Sequence, residues 1–236
     1  MKDFLIDQGT VNWWPIEAGL IYQARYSLAA YRQALFEQLN VPFAENVQHA
    51  VPKRQAEYLV GRYCANKALT QLGKEVTEIR TGQHRQPLWP EGIVGSISHS
   101  NEAALACVSR SNHIIGLGID LEEIVNSTSM EKIESSILTE RDKQCFAGCT
   151  LPRETLFTII FSLKESFFKA AYAQVGKYFD FDAVSVEAID ETNGIIHFCV
   201  NYNLSNTILK GQVYQGGYKL WIDRIVVTFV QLQAGK

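Results

Sequence analysis

An order of elements that occurs twice constrains the fold of this 236-residue chain. A helical pattern over residues 52–72 precedes short strand patterns within 93–120, and a helical pattern over 153–175 precedes strand patterns within 183–231. Apolar residues at spacings of three and four are typical of helices, and short apolar runs between turn residues are typical of strands. The sequence therefore predicts an α+β fold with antiparallel strands at its end, and the repeated order indicates two similar α/β halves.

The two helices are the best-defined elements of their halves. We assign residues 1–114 to an N-terminal half and residues 115–236 to a C-terminal half. Pro52 suits the first turn of the first helix, and Gly73 suits its C-terminal end. Gly176 is expected to end the second helix in the same way.

Other elements rest on weaker patterns. Apolar spacing predicts a helix over Leu28–Leu39, and Thr139 followed by Asp142 predicts a helix start with a capping box. Asn-Gly at 193–194 and Gly-Gly at 216–217 predict turns. These turns separate strands predicted at residues 183–188, 195–200, 207–215, 218–222 and 225–231.

Composition excludes several classes of protein. With 47% hydrophobic and 20% charged residues the chain is not intrinsically disordered, and its net charge of −3 argues against a general nucleic-acid partner. The five cysteines include no CxxC pair, so we expect reduced thiols in a cytoplasmic protein. We expect no membrane span, because no stretch of about 18 residues is apolar and uncharged.

Two carboxylates follow a predicted strand in the segment Gly116–Glu122. Asp120 and Glu122 are two residues apart, so on extended backbone they point the same way. Magnesium prefers such oxygen ligands and completes its shell with water and phosphate oxygens. The alternative is that acidic residues simply end a strand at the surface.

The second predicted helix carries three charges between two apolar edges. Lys164, Glu165 and Lys169 lie in the run from Phe161 to Ala170, and Phe168 widens its apolar face. We expect these charges to be partly buried, and a buried carboxylate needs a partner or a metal. Glu165 is therefore a candidate third metal ligand. The alternative is an ordinary pair between Glu165 and Lys169 with nothing bound.

Two further groups of residues suit a phosphate-bearing ligand. Small residues around Ser98 and His99 allow a close backbone approach, and both side chains can donate hydrogen bonds. Arg54, Arg62 and Arg85 surround the first helix and the Pro-rich loop, and arginine suits bidentate phosphate contact. The alternatives are a turn between two strands and a solvated basic face. A hydrolase is disfavoured because the G-x-S-x-G motif is missing.

Together these motifs resemble the 4′-phosphopantetheinyl transferase superfamily, of the longer Sfp-like type and its enterobactin-synthase-component branch. The combination of motifs and their order carries this resemblance, which spans about half of the chain. Phe161 departs from it, since many relatives have Trp there. The matching stretches are KRQAEYLVGRYCANKAL (53–69), GQHRQPLWPEGIVGSISHS (82–100), GLGIDLE (116–122) and FSLKESFFKA (161–170).

The resemblance implies a reaction and its participants. Coenzyme A would donate its 4′-phosphopantetheine group to a serine of an apo acyl or peptidyl carrier domain, and 3′,5′-ADP would be released. The fold would be that of a monomeric pseudo-dimer, with the site between its halves. The client carrier would belong to a siderophore, polyketide or polyunsaturated fatty acid synthase.

The resemblance also implies residue roles. Asp120, Glu122 and Glu165 would hold Mg²⁺, and Glu165, directly or through water, would take the serine proton. Lys169 would stabilise or protonate the leaving phosphate. Coenzyme A would be bound by Arg54, Arg62, Arg85, Ser98, His99, Lys164 and Lys169.

Two alternatives remain open at this point. In a non-catalytic module that binds coenzyme A or a nucleotide, Asp120 and Glu165 would be structural. A different magnesium-dependent phosphoryl enzyme is disfavoured because the GxxxxGK[ST] loop is missing. The segment 124–149 follows the proposed metal ligands and is a candidate surface for a carrier domain.

Overall fold

The structure is a computed structural model that describes residues 3–75, 78–222 and 224–234. The chain divides into two compact units, Met1–Asn112 (unit 1) and His113–Lys236 (unit 2). This division falls two residues before the one we placed from the sequence. The residue roles imply coenzyme A binding in residues 1–114 and metal binding with the catalytic helix in residues 115–236, and this division of functions stays a prediction.

Unit 1 packs one long helix on an antiparallel sheet. The strands are β1 (Leu5–Val11), β2 (Gly19–Tyr26), β3 (Val94–His99) and β4 (Ala103–Ser109), in the order β1-β2-β4-β3. The helices are α1 (Leu35–Gln38), α2 (Glu45–Gln48) and α3 (Pro52–Gln71). Helix α3 packs on β2, β3 and β4, and Gly73 follows it with φ 74°. The first predicted helix is confirmed.

The N-terminal region differs from the prediction. The helix expected over Leu28–Leu39 is wrong, since a 3₁₀ turn at Leu28–Ala30 and the short α1 replace it. Tyr31 interrupts it because its backbone is extended (φ −66°, ψ 137°) and its hydroxyl donates to Gln55 Oε1 at 2.8 Å. Strands β1 and β2 were not predicted.

Unit 2 repeats the same architecture with a larger sheet. Its helices are α4 (Ser127–Ile137), α5 (Glu140–Cys145) and α6 (Arg153–Val175). Its strands are β5 (Ile114–Glu123), β6 (Val184–Asp190), β7 (Ile195–Val200), β8 (Val213–Trp221) and β9 (Ile225–Gln233), in the antiparallel order β5-β9-β8-β7-β6. Helix α6 packs on β5 and β9 and ends at Gly176 with φ 70°. The α+β fold of two similar halves is confirmed.

The Gly-Gly turn predicted at 216–217 is wrong. Strand β8 runs straight through both glycines, and residues 207–212 form no strand. The reason is packing, because a Cβ on Gly216 would lie 2.5 Å from Leu163 Cδ1 of α6. Glycine there lets the helix approach the sheet. The Asn193–Gly194 turn is confirmed between β6 and β7.

Two sequence expectations concern membrane-spanning helices and the state of the cysteines. Within the described ranges, no helix combines the length and apolar character that crossing a membrane requires. All five cysteines are free thiols, and Cys64, Cys107 and Cys199 are buried. The cytoplasmic location stays a prediction.

Candidate active site

A cavity of about 930 Å³ in unit 1 brings most of the predicted coenzyme A residues together. Its lining joins one face of α3 to the loop around Thr81 and to the end of β3. Four of the five predicted residues of this unit line it: Arg54, Arg62, Arg85 and His99. Small-molecule sites fall at about 300–1,000 Å³, so the cavity has room for a nucleotide-sized ligand.

Arg62 is the most deeply placed cation of this cavity. It is 8% exposed, its guanidinium stacks 4.9 Å from the centre of the Tyr58 ring, and its Nη2 donates to Thr81 Oγ1 at 3.1 Å. Its Nε is buried without a hydrogen-bond partner among the described residues. Burial lowers the pKa of this guanidinium, and an anionic ligand would offset that cost.

Arg54 and His99 meet at the same cavity through a shared carboxylate. Arg54 Nη1 lies 2.8 Å from His99 Nε2, and Glu57 Oε2 lies 3.4 Å from Arg54 Nη1 and 3.7 Å from His99 Nδ1. A helix places residues three apart on one face, which brings Arg54 and Glu57 together on α3. Glu57 thus faces two of the predicted phosphate-binding residues.

Ser98 does not share this cavity. Ile97 and His99 line it, whereas Ser98 lies between them on β3, where alternate side chains point to opposite faces. Ser98 is 5% exposed. Its role in binding coenzyme A stays a prediction.

Sequence reasoning missed four charged residues of this cavity, which are Glu45, Glu57, Glu78 and Arg80. Arg80 precedes Thr81 in a loop whose irregular backbone gives no periodic signal. Glu57 had a usable signal, its i, i+3 spacing from Arg54 on a helix. The cavity wall is therefore mixed in charge, with cations in excess.

Unit 2 places Asp120 against helix α6 through two glycines. A Cβ on Gly116 would lie 2.0 Å from Ala170 O, and one on Gly118 would lie 1.7 Å from Ser166 O. No real side chain tolerates these distances, so glycine is required where β5 passes under α6. Asp120 follows at the end of this contact, which is why it faces the middle of the helix.

Both oxygens of the buried Asp120 carboxylate are used. Lys169 Nζ donates to Oδ1 at 2.6 Å, and Ser162 Oγ donates to Oδ2 at 2.8 Å. Lys169 also donates to Ile119 O at 3.1 Å, and Ser162 Oγ lies 2.9 Å from Thr228 Oγ1. Ser162 and Thr228 were not predicted, because a buried hydroxyl on an apolar stripe gives no sequence signal.

The carboxyl groups of Glu122 and Glu165 both experience repulsion from the charge of Asp120. Burial, followed by repulsion from Asp120, raises the pKa of Glu122 to about 8, while Lys169 opposes the shift. Burial and the Asp120 charge likewise raise the pKa of Glu165. Asp120 and Lys169 are thus in direct contact, and Glu122 and Glu165 lie within electrostatic range of Asp120.

The donor chemistry of this group fits Mg²⁺, since all three candidate ligands supply carboxylate oxygens. A divalent cation would relieve the repulsion that raises two of their pKa values. Within residues 3–75, 78–222 and 224–234, however, no three His, Cys, Asp or Glu side chains converge closely enough to hold an ion. The metal site stays a proposal.

Lys164 lies apart from this group, in a buried ion pair. Its Nζ donates to Asp142 Oδ2 at 2.6 Å and to Ile137 O at 2.8 Å, and both paired side chains are at most 1% exposed. Burial lowers the pKa of Lys164, and Asp142 opposes that shift. A phosphate contact would require this pair to break, and that role of Lys164 stays a prediction.

Asp142 connects three elements, one of them through Lys164. It forms the predicted capping box with Thr139, which is confirmed, and its Oδ1 accepts from Val186 N at 2.6 Å. Sequence reasoning found the cap but missed the ion pair. Asp142 therefore fixes the start of α5 to β6 and, through Lys164, to α6.

A smaller cavity of about 230 Å³ adjoins Glu165 in unit 2. Half of its lining residues are aromatic, and Lys164 also borders it. The aromatic lining residues are Phe168, Tyr178, Phe179 and Phe181. This arrangement offers apolar space beside the candidate catalytic carboxylate.

Comparison with known proteins matches one family description within each of the two units. The 4′-phosphopantetheinyl transferase N-terminal domain matches residues 43–109, and the 4′-phosphopantetheinyl transferase superfamily matches residues 116–225. The chain belongs to the 4′-phosphopantetheinyl transferase superfamily. The resemblance stated from the motifs is confirmed.

Individual relatives carry related names. Enterobactin synthase component D of Escherichia coli (strain K12) is 38% identical over 146 residues, which cover 61% of this chain and 68% of that protein. The Salmonella typhi protein of the same name is 34% identical, over 66% of this chain and 64% of that protein. The 4′-phosphopantetheinyl transferase Svp of Streptomyces mobaraensis is 30% identical, over 87% of this chain and 84% of that protein. The chain is thus aligned with about two thirds of the enterobactin-related proteins.

Proposed function

We propose that this protein transfers the 4′-phosphopantetheine group of coenzyme A to a serine of an apo acyl or peptidyl carrier domain and releases 3′,5′-ADP. The observation that carries the proposal is the family match, which covers residues of both units. The similarity to enterobactin synthase component D favours a siderophore synthase as client. A polyketide or polyunsaturated fatty acid synthase is the other expected client class.

The cation-lined cavity of unit 1 supports the coenzyme A part of the proposal. Arg54, Arg62 and His99 would bind the 3′-phosphate and ribose, and Arg85 would add a cation at the cavity wall. The buried Arg62 Nε without a partner is the kind of donor that a phosphate oxygen satisfies. Binding there would hold the nucleotide end of coenzyme A.

The chemistry would fall to the charged group of unit 2. Glu165 would take the proton of the attacking serine, and its raised pKa suits a general base at neutral pH. Lys169 would neutralise charge that develops on the leaving phosphate. Asp120, Glu122 and Glu165 would hold Mg²⁺, which when bound withdraws charge from the pyrophosphate oxygens. Phosphoryl transfer relies mainly on such positioning and neutralisation.

The decisive experiment is a mass measurement. The protein is incubated with coenzyme A, Mg²⁺ and several apo carrier domains, including one from a siderophore synthase. We expect the siderophore carrier domain to gain the mass of one phosphopantetheine group on its serine. Coenzyme A binding without a mass gain on any carrier would instead support a non-catalytic binding module.

Replacing Arg62 tests the unit 1 cavity. We expect Arg62→Met to weaken coenzyme A binding about 10–100-fold, because a charge-assisted hydrogen bond contributes about 1.5–3 kcal/mol. Isothermal titration measures the change. The matched control is Lys67→Met on the same helix, an exposed cation that does not line the cavity. Equal affinity in wild type and Arg62→Met would remove Arg62 from the site.

Adding Mg²⁺ tests the unit 2 carboxylates. We expect Mg²⁺ to raise the Tm of the wild type, since a ligand at about 100 times its Kd stabilises by about 2.7 kcal/mol. Asp120→Asn should reduce this shift strongly, whereas Glu123→Gln, an exposed neighbour, should retain it. A Mg²⁺ shift of the same size in Asp120→Asn would place the ion elsewhere.

A further inference from the structure

Glu57 lies in the wall of the unit 1 cavity, on α3, between cationic groups. Its side chain is 12% exposed, and its carboxylate lies 3.4 Å from Arg54 and 3.7 Å from His99. Lys53 Nζ approaches it at 4.0 Å. We propose, resting on the proposed function, that Glu57 is a positioning residue that holds Arg54 and His99 in place for the 3′-phosphate of coenzyme A.

The hydrogen bond between Arg54 and His99 assigns the tautomer of the His99 ring. A guanidinium can only donate, so the 2.8 Å contact makes His99 Nε2 the acceptor from Arg54 Nη1. The proton of the neutral ring then lies on Nδ1, the nitrogen that faces Glu57. Arg54 therefore fixes the rotation of the His99 ring through this hydrogen bond. Glu57 Oε2, 3.7 Å from Nδ1, lies beyond hydrogen-bond distance and restrains the ring through Arg54.

The same carboxylate restrains Arg54. The Arg54 side chain is 42% exposed, so its long stem would otherwise sample many rotamers. Glu57 contacts Arg54 one helical turn away and directs the guanidinium towards His99 rather than into solvent. A ligand that needs both groups then binds without ordering them first, which is the advantage of preorganisation.

The sign of one substitution separates positioning from simple repulsion. A carboxylate beside an anionic ligand repels it, so removing a charge that only repels tightens binding. Removing a charge that holds Arg54 and His99 weakens binding instead. Glu45 supplies the comparison, because it is an exposed acid of α2 that lines the same cavity.

The test compares Glu57→Gln with Glu45→Gln, using coenzyme A and 3′-dephospho-coenzyme A as probes. We expect Glu57→Gln to weaken coenzyme A binding about 10-fold, by analogy with losses seen when partners of a ligand-holding histidine are removed. Binding of 3′-dephospho-coenzyme A should change less than about 2-fold. KM for coenzyme A should rise while kcat is retained, and Glu57→Asp should recover part of the affinity.

Several outcomes would overturn the inference. Unchanged or tighter coenzyme A binding by Glu57→Gln would reduce Glu57 to a repulsive or neutral charge. An equal loss for both probes would indicate a general structural defect, as would the same loss in Glu45→Gln. If the wild type bound neither probe, the proposed function itself would fall, and with it the role of Glu57.

Discussion

Glu165→Gln is expected to lower phosphopantetheine transfer about 10³-fold without destabilising the fold. General base catalysis contributes about 10²–10⁴-fold, and glutamine keeps the shape of the side chain but cannot accept a proton. Burial and the Asp120 charge raise the pKa of Glu165, so folding disfavours its charged form, a cost that glutamine does not carry. The free energy of unfolding should therefore be retained or raised.

Activity and stability measured together make this test specific. Transfer is followed by the mass of the carrier domain, and the free energy of unfolding is taken from urea titration. Glu123→Gln is the matched control, since it removes the same charge from an exposed position at the end of β5. Full transfer by Glu165→Gln would exclude Glu165 as the base and as an essential metal ligand.

The second large effect concerns stability. Removing one partner of the buried pair Lys164–Asp142 is expected to cost about 3–5 kcal/mol, because the remaining charge stays buried and unpaired. Asp142 also loses its bond to Val186 N when it is replaced by an apolar side chain. Lys164→Met and Asp142→Leu should each lower the urea midpoint, and the double variant should recover part of the loss.

The double variant also separates two roles of Lys164. If the lysine only fixes α5 and β6 to α6, a variant with recovered stability should keep its KM for coenzyme A. If it also binds a phosphate, KM should rise although the fold is stable. The control for charge alone is Lys143→Met. This lysine is partly exposed and pairs with the exposed Glu140, so its replacement should leave the unfolding free energy nearly unchanged. A loss of less than about 1 kcal/mol in both single variants would contradict the buried pair.

The long helices could be predicted because their signals are local. Pro52, Gly73 and Gly176 mark their ends, and apolar spacing fixes the face that packs on each sheet. The short elements near Tyr31 could not be predicted, since a tertiary hydrogen bond to Gln55 decides the backbone there. The turn predicted at Gly216 was wrong for a related reason, because a tertiary contact decides the use of this glycine. It leaves room for Leu163 of α6.

The sequence predicted which residues belong to the candidate site but not how they contact one another. Motif chemistry identified Asp120, Glu165 and Lys169, and the structure brings these three together. The prediction gave Lys164 and Lys169 the same role. In the structure the Lys164 side chain is 1% exposed and pairs with Asp142, whereas the Lys169 side chain is 26% exposed and pairs with Asp120. Both lysines lie on α6, five residues apart, so only tertiary packing gives them different partners.

The two glycines of β5 set the distance between this strand and α6. Gly116 and Gly118 let two carbonyl oxygens of α6 rest on the strand backbone, and this contact sets the separation between Asp120 and the residues of the helix. An alanine at either position would wedge the helix away from the strand and lengthen the bond between Lys169 and Asp120. The spacing of the charged group is thus encoded by two residues that carry no functional atoms.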